Sequence, residues 1–138
     1  MRVLFIDIDG VFHPAGDGSQ DTGPRFIWLP LLAEVLAPHP DVVIAVHSTW
    51  RYDHTLDELQ ELLASLGKRP VVAVPRGPRS EAITWFLQMN RAVVSHRILD
   101  DAPDEFGTEP PAELIVCESK RGLTTPGVID ALRRWLAA

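Results

Sequence analysis

Short apolar runs alternate with longer amphipathic segments along the chain. Three runs are rich in β-branched residues and too short for helices: residues 2–8, 41–47 and 71–74. Such runs are typical of strands buried on both faces of a sheet. Two further short strands are predicted at 97–99 and 114–117. The hydrophobic pattern therefore predicts five strands.

Helical periodicity fills the segments between most of these strands. Residues 28–37 are predicted to be helical, with Pro30 tolerated only because it lies near the start. A second helix is predicted over 80–90, with Ser80 as its N-cap. Its inward side chains are expected to be Ile83, Phe86 and Leu87.

A capping box and a proline mark two more helices. Thr55 and Glu58 have capping-box spacing, and Gly67 is expected to end the helix that follows. Its predicted inward face consists of Leu56, Leu59, Leu62, Leu63 and Leu66. Thr125 and Pro126 supply an N-cap and a first-turn proline for the last helix. Its predicted inward side chains are Val128, Ile129, Leu132 and Leu136.

The alternation of strands and helices predicts the fold class. Strands separated by helix-length segments imply right-handed crossovers, hence a mainly parallel five-stranded sheet with helices on both faces. This is an α/β fold of three layers. A length of 138 residues favours one domain over 1–138.

Composition excludes several classes of protein. A single cysteine, Cys117, rules out a disulfide framework within the chain, and we expect it to be an inert buried residue. Asp7 and Asp9 interrupt the first apolar run, no small-residue cleavage site follows, and no run is long enough to span a membrane. We therefore expect a cytoplasmic protein. The net charge of −6 gives no basic surface for strong nonspecific nucleic-acid binding.

Acidic residues follow two of the predicted strands. In parallel α/β sheets, ligands bind beyond the carboxyl ends of the strands. Asp7 and Asp9 follow the first strand, and Asp100 and Asp101 follow the fourth. Taken alone, each pair is typical of a turn or loop. Together at one sheet edge they would repel each other unless a hard cation such as Mg²⁺ lay between them.

Candidate phosphate ligands lie near the same edge. Ser48 and Thr49 follow the second strand, where a hydroxyl could donate to a phosphoryl oxygen. Arg79 precedes the 80–90 helix and could bridge a phosphate and a carboxylate. Arg76 competes for that role. The sequence does not decide between Ser48 and Thr49, or between Arg79 and Arg76.

In this order the residues resemble the four motifs of the haloacid dehalogenase (HAD) superfamily. The matching positions are Asp7-Ile-Asp-Gly-Val11, Ser48, Arg79 and Ile98-Leu-Asp-Asp101. More narrowly, His47-Ser-Thr-Trp-Arg51 and Gly122-Leu-Thr124 are similar to small bacterial HAD domains and to those of RNA-repair (Swiss Army Knife) proteins. The third motif departs from the usual pattern, because arginine stands where lysine is usual.

The resemblance implies a Rossmann-like core and a magnesium-dependent phosphatase. Asp7 would attack a phosphate monoester to form an aspartyl-phosphate, and Asp9 would act as general acid and then general base. Mg²⁺ would be held by the Asp7 side chain, the Asp9 backbone carbonyl and Asp100, with Asp101 as a helper or alternative ligand. The phosphoryl oxygens would contact residues Ser48, Thr49 and Arg79. The substrate would be a phosphorylated small molecule or a nucleic-acid end.

Many relatives close the site with a cap domain, for which this chain has no room. Residues 11–27 suit a short flap instead, so the open site could accept a bulky substrate or borrow a lid from a second copy in a homo-oligomer. His13 and Arg25 lie in this flap and are interpreted as ordinary loop residues. Three tryptophans are expected in the core: Trp50, Trp85 and Trp135.

Two other functions remain open at this point. A receiver-like signalling module also uses strand-end acids and Mg²⁺, but it has no second acid two residues after its phosphoacceptor. A PIN-like metal-dependent nuclease clusters acids on a similar sheet. Continuous phosphate release separates a hydrolase from the first, and cleavage of internal phosphodiesters would indicate the second.

Overall fold

Five parallel strands form the centre of the fold. The structure is a computed structural model that describes residues 1–15 and 25–138. The strand order is β3-β2-β1-β4-β5, and every neighbouring pair is parallel. The strands are β1 (Arg2–Ile6), β2 (Val42–Val46), β3 (Val71–Ala73), β4 (Ser95–Asp100) and β5 (Leu114–Val116). The predicted α/β fold with a parallel five-stranded sheet is confirmed.

The described residues also form five α-helices and three short 3₁₀ turns. The helices are α1 (Leu29–Leu36), α2 (Trp50–Asp53), α3 (Leu56–Leu62), α4 (Arg79–Met89) and α5 (Val128–Ala137). The 3₁₀ turns cover Ala64–Leu66, Pro103–Phe106 and Gly122–Thr124. No helix among the described residues has both the length and the apolar character needed to cross a bilayer. Residues 16–24 of the predicted flap lie outside the described residues.

The sheet divides the apolar core into two layers. Side chains alternate along β1, so Leu4 and Ile6 face one side and Val3 and Phe5 the other. Buried residues of α1, α3 and α5 pack on the first side. Buried residues of α4 pack on the second side, together with Phe106. Because both faces are covered, the fold has the three layers that the sequence predicts.

The register of the central strands places polar residues side by side. Ile6 lies opposite Val46 on β2 and Leu99 on β4. Backbone hydrogen bonds continue this register past the strand ends. The Asp7 N–H donates to the Leu99 carbonyl at 3.0 Å, and the His47 N–H donates to the Ile6 carbonyl at 3.0 Å. Asp7 is therefore held between His47 and Asp100 by the sheet itself.

The α4 helix begins earlier than predicted, and the α5 helix begins later. The Pro78 carbonyl accepts the first helical hydrogen bond from Ala82, so α4 begins at Arg79, and Ser80 is not its N-cap. The α5 helix begins at Val128 behind Gly127, which has φ of +89°. The Thr125 hydroxyl does not cap it, since it accepts a hydrogen bond from the Glu118 N–H.

Two side-chain predictions are wrong and the capping box is confirmed. Trp85 is 53% exposed on the outer side of α4, whereas Trp50 and Trp135 are buried. Leu56, the first residue of α3, is 43% exposed, and Leu63 and Leu66 reach the core after this helix ends at Leu62. The reciprocal hydrogen bonds between Thr55 and Glu58 are both present.

Candidate active site

Three carboxylates meet at the carboxyl edge of the central strands. Asp7, Asp100 and Asp101 each offer an oxygen atom, and these atoms lie within 4.8 Å of one another. Asp7 and Asp100 are fully or almost fully buried. Asp7 and Asp100 lie close together because of the strand register: Ile6 pairs with Leu99, and each acid directly follows one member of this pair. The structure thus brings together three of the four predicted metal ligands by their side chains.

Arg79, at the start of α4, contacts two of these three acids. Its Nη1 lies 3.0 Å from Asp7 Oδ2 and 2.9 Å from both carboxylate oxygens of Asp100. Arg79 is the first residue of α4, and the start of this helix aims its guanidinium at the sheet edge. Arg76 lies elsewhere, with its guanidinium 4.7 Å from the centre of the exposed Tyr52 ring. Of the two arginines, Arg79 is the one that reaches the acids.

The charges of this cluster fit a divalent cation. Burial, together with the charge of Asp100, raises the pKa of Asp7 to about 8, although Arg79 acts in the other direction. At 4.8 Å and an effective dielectric constant of ~20, two like unit charges repel by roughly 3.5 kcal/mol. One guanidinium does not balance three carboxylates. The donor set, three hard oxygens with excess negative charge, suits Mg²⁺.

His47 forms a buried hydrogen bond with Asp100. Its Nε2 lies 2.7 Å from Asp100 Oδ2, and both side chains are completely buried. Burial lowers the pKa of His47 despite this contact, so the ring is neutral and donates its Nε2 proton. The Ala102 N–H donates to Asp100 Oδ1 at 2.8 Å. Burial alone would raise the pKa of Asp100. The hydrogen bonds that it accepts outweigh burial, so its pKa lies below its ordinary value.

Gly10 allows Asp101 to approach the loop that follows Asp7. Gly10 has φ of +77°, and a Cβ atom there would overlap the Asp101 carboxylate. The Ser119 hydroxyl donates to Asp101 Oδ2 at 2.8 Å and fixes that side chain from the other side. A glycine is required at this position both by its backbone conformation and by the close approach. The Asp-Gly pair is therefore part of the site rather than a simple turn.

The Asp9 carboxylate lies apart from the three-acid cluster. Its Oδ1 lies 2.7 Å from His13 Nε2, and its Oδ2 accepts a hydrogen bond from Trp50 Nε1 at 3.0 Å. The His13 contact, more than burial, governs this carboxyl and holds the pKa of Asp9 below its ordinary value. The interpretation of His13 as an ordinary loop residue is wrong, since its side chain is completely buried. Arg25, the other flap residue, lies with its guanidinium 5.2 Å from the centre of the Trp50 ring.

The two candidate hydroxyls differ in their surroundings. Ser48 is buried, and its Oγ accepts a hydrogen bond from the Trp50 N–H at 3.2 Å. Thr49 is exposed at the N-terminus of α2. Arg51 stabilises the segment between β2 and α2, because its Nη1 donates to the carbonyls of both His47 and Ser48. The hydroxyl of Ser48 can rotate and still donate to a ligand while it accepts this bond.

The acids of the site can be predicted from the sequence, but the residues that orient them cannot. His47 and Trp50 touch the acids only because strands and loops distant in sequence meet at one edge, whereas His13 lies four residues from its partner Asp9. The sequence signal for His47 and Trp50 is their place at the end of the second predicted strand, with His47 as its last residue and Trp50 three residues beyond it. The sequence places His47 within the motif around Ser48 and predicts Trp50 to lie in the core.

A parallel sheet with strand-end acids on its first and fourth strands is the arrangement expected for a HAD-type hydrolase. Residues 3–128 match the model of one family, the HAD domain in Swiss Army Knife RNA repair proteins. The chain belongs to this family, and the narrower resemblance predicted from the sequence is confirmed. Comparisons with curated proteins and with solved structures gave no match.

Proposed function

We propose that this protein is a magnesium-dependent phosphohydrolase that acts on a phosphate monoester through an aspartyl-phosphate. The observation that carries the proposal is the buried Asp7 at the centre of an acidic cluster that Arg79 also contacts. A nucleophilic carboxylate, neighbouring oxygen ligands and a cation for the phosphoryl group are the groups that this reaction needs. The family match supports a hydrolase of HAD type.

In the proposed first step, an Asp7 carboxylate oxygen attacks phosphorus and the bond to the leaving oxygen breaks. The protonated form of Asp9 donates its proton to that oxygen as it leaves. In the second step Asp9 takes a proton from water, the water oxygen attacks phosphorus, and Asp7 is released with inorganic phosphate. Ser48 and Arg79 would donate hydrogen bonds to the phosphoryl oxygens throughout, with Thr49 as a further candidate.

The metal ligands would be the side chains of Asp7, Asp100 and Asp101, with the backbone carbonyl of Asp9. A bound Mg²⁺ would offset the negative charge of the carboxylates and of the phosphoryl group. The same charge would favour the ionised, nucleophilic form of Asp7, whose pKa is otherwise raised to about 8. Burial of Asp7 therefore supports a role for the cation.

A phosphorylated nucleic-acid end is the substrate class that the family name favours, beside small phosphorylated molecules. The net charge of −6 argues against an extended basic surface. An oligonucleotide would then be held mainly through its terminal phosphate and the nearest nucleotide. A panel of sugar phosphates, nucleotides and 3′- or 5′-phosphorylated oligonucleotides would identify the substrate.

The proposal predicts continuous phosphate release from an aryl phosphate in the presence of Mg²⁺, and none after addition of EDTA. Asp7→Asn is expected to reduce the rate by at least about a thousandfold, because an amide does not replace the nucleophile. Asp130→Asn, at an exposed position of α5, is the matched control and should retain the wild-type rate.

The same assay separates the alternatives. A single stoichiometric phosphorylation without turnover would contradict the proposal and favour a receiver-like module. Cleavage of internal phosphodiesters without release of terminal phosphate would favour a PIN-like nuclease. Equal activity of the wild type and the Asp7→Asn variant would show that Asp7 is not the nucleophile.

A further inference from the structure

Two buried side chains from different segments hold the half-exposed carboxylate of Asp9. The side chain of Asp9 is 49% exposed, whereas His13 is completely buried and Trp50 nearly so. One donor contacts each oxygen, His13 at Oδ1 and Trp50 at Oδ2. An exposed carboxylate ordinarily rotates freely about its last torsion. With a donor on each oxygen, this one has its plane fixed.

The direction of the His13 hydrogen bond follows from a backbone contact. The Phe26 N–H donates to His13 Nδ1 at 3.2 Å, so Nδ1 is an acceptor and carries no proton. A neutral ring then carries its proton on Nε2, the atom 2.7 Å from Asp9. His13 is therefore a donor to Asp9 in its neutral form. No change of its charge is needed for this role.

The Trp50 ring is held in one orientation by its aromatic neighbours. It stacks on His54 with ring centres 5.0 Å apart and planes 11° from parallel. The edge of Phe26 meets it at 5.4 Å and 81°. An indole held on two sides points its N–H group in a fixed direction. That direction leads to Asp9 Oδ2.

We propose that Trp50 and His13 are positioning residues that fix the Asp9 carboxylate for proton transfer to the leaving oxygen, an inference that rests on the proposed function. Each oxygen of Asp9 uses one acceptor site for its protein donor and keeps another for the transferred proton. The proton passes from Asp9 to the leaving oxygen as the phosphorus–oxygen bond breaks. A fixed donor geometry favours this step, because misplacement of a reacting group by about 1 Å costs about a hundredfold in rate.

Replacement of one tryptophan by phenylalanine tests this role against a matched control. Trp50→Phe keeps an aromatic ring and removes the N–H donor. Trp135→Phe removes a comparable donor from a buried ring on α5, where Nε1 donates to Ser95 Oγ at 2.7 Å. Both variants lose one buried indole hydrogen bond. Only the first loses a bond to Asp9.

The readout is kcat/KM for two substrates that differ in their need for a proton. Departure of an alkoxide needs protonation, whereas departure of nitrophenolate needs little. We expect Trp50→Phe to lower kcat/KM for an alkyl phosphate by about tenfold or more, and for 4-nitrophenyl phosphate by less than about threefold. Trp135→Phe should leave both values unchanged. An equal loss on both substrates, or no loss, would overturn the positioning role of Trp50.

A second pair of variants tests His13. His13→Gln retains a side-chain N–H donor, whereas His13→Met has similar length and no donor. The glutamine variant should retain more activity on the alkyl phosphate than the methionine variant, with little difference on 4-nitrophenyl phosphate. Equal rates for the two variants would overturn the role of His13.

A measurement without turnover keeps this inference separate from the proposed function. In a ¹H–¹⁵N spectrum, the indole signal that is absent from Trp50→Phe belongs to Trp50. Asp9→Asn replaces its charged acceptor by a neutral one and should move this signal, while the Trp135 signal stays in place. If Asp7→Asn and the wild type are equally inactive, the proposed function fails while this test still applies. An unmoved Trp50 signal would overturn the contact with Asp9.

Discussion

At the scale of single residues, the electrostatic position of Asp7 has a consequence for stability. Asp7 is buried beside Asp100, and its pKa is raised from about 3.8 to about 8. In the unfolded chain the same group ionises near its ordinary value. Between these two values the folded protein holds one proton more than the unfolded one, so a rise in pH favours unfolding.

The expected result is a pH-dependent gain in stability for Asp7→Asn in EDTA. From this group alone, the free energy of unfolding of the wild type should fall by up to about 1.4 kcal/mol per pH unit between pH 4 and pH 8. The variant lacks this dependence, so its advantage should grow over that range. Urea unfolding at pH 5, 6, 7 and 8 measures it. A constant difference between the two proteins would contradict the raised pKa.

The acids of the site could be predicted from the sequence because each stands at the end of a run that forms a buried strand. Their hydrogen-bond partners could not. Trp50 is a large apolar residue of the kind found in cores, and only the hydrogen bond from its indole N–H to Asp9 reveals another role. His13 belongs to a segment with no periodicity, so its burial depends on contacts that no local pattern encodes.

At the scale of elements, one arginine joins the turn after β2 to the loop before α4. Arg51 Nη1 donates to the Ser48 carbonyl at 2.9 Å, and its Nη2 donates to the Gly77 carbonyl at 2.9 Å. The first segment carries the candidate phosphate ligand Ser48, and the second leads into Arg79. Arg51 therefore sets the relative position of two proposed phosphate-binding groups without contacting the acids.

We expect Arg51→Lys to raise KM for a phosphate monoester by about tenfold with a smaller change in kcat, because lysine cannot donate in two directions from a planar group. Arg133→Lys, at an exposed position on α5, is the control and should match the wild type. Steady-state kinetics on one substrate measure both values. An unchanged KM for Arg51→Lys would show that this link does not hold the binding groups.

The starts of two helices depart from the local capping rules. Ser80 and Thr125 have side chains suited to capping, yet neither caps its helix. The Thr125 hydroxyl is used by the Glu118 N–H instead. Thr55 does cap α3, where the capping partner Glu58 lies within the same turn. The Thr55 cap was predictable because its partner lies in the same turn, whereas the Thr125 hydroxyl is used by a residue seven positions earlier and Ser80 lies inside a helix that starts at Arg79.

At the scale of the whole molecule, the fold class was predictable because one simple pattern repeats along the chain. Alternating strands and helices permit few arrangements of a parallel sheet. The two layers of the core follow from the alternation of side chains along β1. The exposed Trp85 departs from this agreement, since α4 is apolar on more sides than the single core layer covers.

The position of β1 in the middle of the sheet has a consequence for how the molecule opens. The edge strands β3 and β5 have only three residues each, whereas β2, β1 and β4 have five or six and include the framework of the site. Short edges are expected to open first in local fluctuations. Amide hydrogen exchange should therefore be slowest at residues such as Asp7 and His47, whose N–H groups bond across the central strands. Faster exchange there than at the edges would contradict this order. If the edges exchange first, as expected, the carboxylates stay assembled during local opening of the edge strands. The site is then lost only on global unfolding.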